Sequence, residues 1–171
     1  KNVEMIFNKK RDLLIVVGGG SLPPQLYDRP HEDELQPNRD RMEEQVIHYC
    51  VAHGIPIIAT CRGMQYINVM FGGKLWYHPK LPVTRTRGMD HQVWLVKEQR
   101  NIWVNNYHSD CIYEEGLAPC FEPLAIDREN HVVEAYGSDE MKILALQWHP
   151  ERRFETANAY EETRKIVLDF I

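Results

Sequence analysis

A chain of 171 residues, 43% hydrophobic and 26% charged, is long enough to bury a core and ordinary enough in composition to be one globular unit. Its formal net charge of −5 gives no electrostatic ground for a nucleic-acid or anionic-membrane partner. No stretch is long and apolar enough to span a membrane, and the charged start KNVEMIFNKKRD is unlike a signal peptide. Cys50, Cys61, Cys111 and Cys120 form no CxxC pair and no zinc-ligand spacing with the histidines, so reduced thiols in the cytoplasm and a chemistry without metal are expected.

The segment DLLIVVGGG reads as a fully buried strand, Leu13 to Val17, that runs into a glycine turn. The proline- and charge-rich stretch SLPPQLYDRPHEDELQPN then reads as a surface loop. From Arg39 to His53 a helix is predicted, with Met42, Val46 and Cys50 on its packing face and Gly54 as its stop. IPIIA is a second buried strand, followed by a turn at Cys61 and a helix to about Met70, ended by Gly72 and Gly73. Strand, helix, strand, helix in this order predicts a parallel sheet in an α/β domain. Later, HQVWLV, NIWVN, HVVEAY and KILALQW are short strand candidates between polar turns, and TANAYEETRKIVLDFI closes the chain as a helix packing through Ile166, Val167 and Phe170. With no repeat and no linker, residues 1–171 read as a single domain.

A cysteine between a strand and a helix has two geometric advantages as a nucleophile. The helix N-terminus favours a thiolate, and the tight turn projects the side chain beyond the carboxyl ends of the strands. The turn requires small residues two positions to either side, and these are Ala59 and Gly63. The backbone N–H of Arg62 is then placed to donate to an oxyanion. Free cysteines are more often inert core residues, so the turn needs a base to mean more. His149 follows directly on the apolar run LALQW, and Glu151 lies two residues beyond it, on the same side of an extended segment. Glu151 can orient the imidazole of His149 while it exchanges a proton with Cys61.

Taken together, GGG after the first strand, CRGMQYINVMFGG and QWHPE resemble class I glutamine amidotransferase domains. More narrowly they are similar to the γ-glutamyl hydrolase branch, which includes γ-glutamyl-γ-aminobutyrate hydrolases; NRDRMEE and VNNYH resemble that branch as well. The resemblance implies a flavodoxin-like open sheet, mostly parallel, with helices on both faces and a smaller antiparallel portion. It implies Cys61 as nucleophile, His149 as general base and acid and Glu151 as orienting carboxylate. The oxyanion donors would be the backbone N–H groups of Arg62 and of Gly19 or Gly20. Gln65 would help to hold the γ-glutamyl group, its rival reading being a core-facing side chain. Asn105, Tyr107 and His108 match a segment that borders the glutamyl pocket, with plain loop structure an equal reading.

The implied reaction releases glutamate and an amine from a small-molecule γ-glutamyl amide through a thioester on Cys61, without cofactor, the leaving group being γ-aminobutyrate, another small amine or an amidated nucleotide. Two other readings stand beside it: a glutaminase subunit delivering ammonia to a separate synthetase, and a non-catalytic binding module of the same fold. A homodimer is compatible with the first. The sequence departs from the family pattern at three places. Ala59 stands where the family usually has glycine, His108-Ser109-Asp110 stands where the branch often has HHQ, and Arg152 after HPE resembles relatives that act on amidated nucleotides. The family also begins with a strand and helix upstream of DLLIVVGGG, which predicts an N-terminal portion beyond the sequence given.

Overall fold

The computed structural model describes residues 8, 12–27, 35–77 and 88–171. Along these residues run β1 (Leu14–Val16), α1 (Pro37–His53), β2 (Ile57–Thr60), α2 (Arg62–Met70), β3 (Trp76–Tyr77), β4 (Asp90–Leu95) and β5 (Arg100–Asn105). They are followed by β6 (Asp110–Cys111), β7 (Glu122–Asp127), β8 (Val132–Ser138), β9 (Ile143–Leu146) and α3 (Ala159–Phe170). Seven strands form one sheet in the order β1-β2-β9-β8-β7-β4-β5, and β3 pairs with β6 apart from it.

The sheet has two halves. β1, β2 and β9 are parallel, with Val16 opposite Ala59 and Ala59 opposite Ala145. From β9 onward each pairing is antiparallel, so that portion is the longer one among the described residues. This agrees with the chemistry of the segments: β2 and β9 are buried along their whole length, as strands covered on both faces must be.

Alternation along β2 sends its side chains into two cores. Ile57 and Ala59 pack with Ile47 and Cys50 of α1 and Met64 and Ile67 of α2. Ile58 packs on the opposite face with Leu144, Leu146 and Trp148, against Ile166, Val167 and Phe170 of α3. Helices thus cover both faces, as expected of a flavodoxin-like open α/β sheet. α1 begins at Pro37, a residue suited to the first turn, and stops at Gly54 in the left-handed conformation.

Several expectations change. β1, the last strand of the sheet among the described residues, is not fully buried: Ile15 and Val17 are 56% and 53% exposed and border an open apolar groove with Leu168 and Ile171. Met42 is 59% exposed rather than packed. The inner face of α1 carries Ile47 and Cys50 and, nearer its start, the carboxylates Asp40 and Glu43, which pair with Arg62. The strands β3, β6 and β7 were not expected, and part of the predicted loop, residues 28–34, lies outside the described residues. Among the described residues no helix is long and apolar enough to cross a membrane.

Candidate active site

Parallel strands β2 and β9 end side by side, Thr60 opposite Leu146, and the chain turns sharply after each. After β2 the turn is Cys61, at φ 50° and ψ −111°. A non-glycine residue holds such a backbone only where its surroundings enforce it. Here the N–H of Cys61 donates to the carbonyl of Leu146 at 2.8 Å, and the N–H of Gln65 donates to the carbonyl of Cys61 at 3.1 Å, closing the first turn of α2. Gly63 is needed for contact: a methyl group there would collide with the backbone carbonyl of Val16. β1, the elbow and α2 can meet only without that side chain.

Cys61 is buried, 9% exposed as a residue. Burial pushes its thiol up to about 11; the N–H of Arg62 and the guanidinium of Arg152 oppose this, and the charges of Asp110 and Glu151 add to it. At neutral pH the group therefore rests as a thiol. The backbone N–H of Arg62 already addresses its sulfur.

After β9 the chain passes Gln147 and Trp148, both fully buried, and presents His149. Nδ1 of His149 lies 2.6 Å from Oε1 of Glu151, whose side chain is open to solvent. Asn105, at the end of β5, fixes the backbone of His149 from both sides: its amide donates to the histidine carbonyl at 2.8 Å, and its carbonyl accepts the histidine N–H at 2.9 Å. The ring of Tyr107 meets the imidazole edge to face at 5.7 Å, and Arg152 lies over Tyr107 at 4.6 Å. Gly18 is where the two sides converge. A Cβ there would stand 2.7 Å from Cε1 of His149 and 3.6 Å from Cβ of Cys61. Side chains 88 residues apart in sequence thus share one small space beneath the glycine loop, which leaves Nε2 of the imidazole as the nitrogen not engaged by Glu151.

The remaining expected residues occupy distinct places. Gly19 is exposed and Gly20 half-buried on the loop beyond Gly18. Gln65, one turn into α2, is buried, and its amide donates to the carbonyl of Asp110 at 3.0 Å and to Oε1 of Gln147 at 3.1 Å. The side chain of His108 is buried, with Nδ1 3.0 Å from the carbonyl of Asp110 and Nε2 3.7 Å from the buried carboxylate of Glu134. Tyr27 donates its hydroxyl to Asp110 at 3.0 Å. Cys61, His149, Asn105 and Tyr107 are thereby gathered around one point, while Gln65 and His108 support the adjoining wall through Asp110. Gly18 was not among the expected residues; its signal was its place between a buried strand and two further glycines. Among the described residues no group of three or more His, Cys, Asp or Glu side chains is arranged to hold a metal ion.

An open α/β sheet with a cysteine elbow after one central parallel strand and a histidine–carboxylate pair after its neighbour defines the class I glutamine amidotransferase-like architecture. The Peptidase C26 family matches residues 4–151, and the chain belongs to it. Protein NtpR of Enterococcus hirae is 33% identical over 162 residues, covering 82% of this chain and 66% of NtpR. The γ-glutamyl-γ-aminobutyrate hydrolase PuuD of Escherichia coli is 26% identical over 175 residues, covering 87% of this chain and 67% of PuuD. The chain thus spans about two thirds of the length of these relatives. A glutamine amidotransferase of Thermotoga maritima superposes with a TM-score of 0.60 at 21% identity, over 91% of this chain and 64% of that one, a likeness of fold.

Proposed function

We propose that this chain is a cysteine-dependent hydrolase of γ-glutamyl amides, with Cys61, His149 and Glu151 as its triad. The observation that carries the reading is the convergence beneath Gly18 of a buried thiol on a strained elbow and an imidazole held at Nδ1 by a carboxylate. Membership of the family and the likeness to PuuD support the choice of bond.

In this mechanism Nε2 of His149 accepts the thiol proton as sulfur attacks the γ-carbonyl carbon. The carbonyl π pair moves to oxygen, where the N–H of Arg62 and one from Gly19 or Gly20 stabilise it. Collapse breaks the C–N bond, and the imidazolium gives its proton to the departing amine. Water, deprotonated by the same nitrogen, then attacks the γ-glutamyl thioester and releases glutamate, and the proton returns to sulfur. Glu151 holds the tautomer and stabilises the imidazolium between steps. Gln65, Asn105, Tyr107 and His108 form the wall on the glutamyl side.

A panel of γ-glutamyl amides, including glutamine and γ-glutamyl-γ-aminobutyrate, scored by released glutamate, tests the proposal. Cys61→Ala is expected to lower kcat by about 10³-fold or more while the fold is retained; a variant that keeps full activity would sink it.

A further inference from the structure

The glycine loop and the cysteine elbow, which supply the oxyanion donors of the proposed reaction, belong to different strands, yet both are tied to one stretch of α1. Arg39 reaches the loop. Its Nη2 donates to the carbonyl of Val17 at 2.7 Å, and its Nη1 donates to the carbonyl of Gly18 at 3.1 Å and to Oε1 of Gln36 at 3.0 Å. Its Nε donates to Oε1 of Glu43, one helical turn on, at 2.7 Å. The other oxygen of Glu43 accepts from Nη1 of Arg62 at 2.6 Å. Arg62 is itself buried, follows Cys61 directly, and pairs through Nη2 with Asp40. A methyl group on Gly19 would collide with the guanidinium of Arg39, so loop and side chain are in close contact.

We propose that Arg39 and Glu43 are positioning residues that lock the glycine loop to the cysteine elbow, so that the loop N–H and the N–H of Arg62 face one oxyanion together. The proposal rests on the hydrolase reading above. Carbonyls of Val17 and Gly18 turned toward Arg39 set the orientation of the peptide planes on the loop, and the plane after Gly18 carries the N–H of Gly19. Glu43, with one oxygen on each arginine, turns two separate loop contacts into one unit. A buried ion pair is weak as a source of stability but strict in geometry, because each charge tolerates few arrangements of its partners. Misplacing a catalytic group by about 1 Å can cost on the order of 10²-fold in rate, which makes such strictness useful here.

The decisive variant is Glu43→Gln, which keeps shape and leaves Arg62 its partner Asp40; Arg39→Lys, which keeps charge but loses the two-pronged contact, is the second. Each is compared with wild type in the full chain by steady-state kinetics, by the rate of Cys61 alkylation with iodoacetamide, and by hydrogen exchange of residues 17–20. Glu43→Gln is expected to lower kcat about 10- to 100-fold, with KM changed less than about threefold and alkylation within about twofold. Exchange on the glycine loop should rise at least about tenfold, although Glu43 does not touch that loop. Arg39→Lys should follow in the same direction, and Arg39→Ala should regain part of its kcat on addition of methylguanidinium. Unchanged loop exchange in Glu43→Gln, or a fall in kcat matched by an equal fall in alkylation, would overturn the proposal. If the wild-type chain releases no glutamate from any γ-glutamyl amide, the hydrolase reading fails on that ground, and the exchange measurement by itself decides whether loop and elbow are coupled.

Discussion

Cys61 combines two unfavourable features, a left-handed backbone and a buried ionisable group, and both follow from its place between β2 and α2. The helix start would favour a thiolate, but desolvation is larger, and the thiol is pushed up to about 11. The resting group is therefore a thiol, and in the proposed reaction its proton leaves as sulfur attacks. A preformed thiolate–imidazolium pair would behave differently. Alkylation of Cys61 by iodoacetamide is expected to accelerate about tenfold per pH unit from pH 6 to 9, because the thiolate fraction grows in that proportion below the pKa of the group. A rate that levels off within this range would contradict a resting thiol at Cys61. Glu151 acts through the imidazole instead. Exposed to water but 2.6 Å from Nδ1, it engages that nitrogen and leaves Nε2 as the one open to exchange a proton in the proposed reaction.

At the scale of elements, the elbow depends on β1, β2 and α2 meeting at the smallest possible separation. Gly63→Ala places a methyl group on the carbonyl of Val16, a backbone atom that cannot rotate away. The variant is expected to lose about 1–3 kcal/mol of stability, read from urea unfolding, and to lose hydrolysis further as β1 and its glycine loop shift. Ala59→Gly, within fully buried β2, should cost about 0.5–1 kcal/mol and leave activity near wild type, since the elbow accepts either small residue. These contacts also explain what could be read from the sequence. β2, α2 and β9 were legible because continuous apolar runs bounded by glycine or polar residues have few alternatives; the elbow turn and the His149–Glu151 spacing were legible because each is local, whereas the approach of Cys61 to His149 joins distant segments. β7 was not: Pro123 lies within it and its pairing with β8 shifts register at Pro123/Ala125, so the strand shows no clean alternation. Met42 misled because spacing alone cannot show that the inner face of α1 takes in carboxylates to meet Arg62. For Asn105 the sequence leaves a border of the glutamyl pocket and plain loop structure as equal readings; its hold on the backbone of His149, 44 residues away, is a tertiary pairing that no local pattern encodes.

At the scale of the whole molecule, a sheet covered on both faces places the ends of its central parallel strands at one open rim, where the thiol and imidazole meet. The same double cover buries ionisable groups far from that rim. Cys50, on the inner face of α1, is pushed by burial from its ordinary 9.0 to about 11, as Cys61 is, and burial raises Tyr66 and Tyr113 from 10.0 to about 12. Each group holds its proton more tightly in the folded chain than in the unfolded one. Between about pH 9 and 11 the unfolded state therefore binds fewer protons, and stability must fall as pH rises. The contribution is complete below pH 9 and is lost through the folded values. For the two cysteines together the loss is on the order of 2 kcal/mol between pH 8 and pH 10. Urea unfolding measured from pH 7 to 10.5 is expected to show a constant midpoint to about pH 8.5 and a steady decline above it. Cys50→Ala and Cys61→Ala, each compared with its own value at pH 7, should each flatten that decline, and the double variant should leave the share of Cys120, which burial also raises, and the later fall due to the tyrosines. An alkaline decline that persists unchanged in the double variant would place its origin elsewhere than in these two buried thiols.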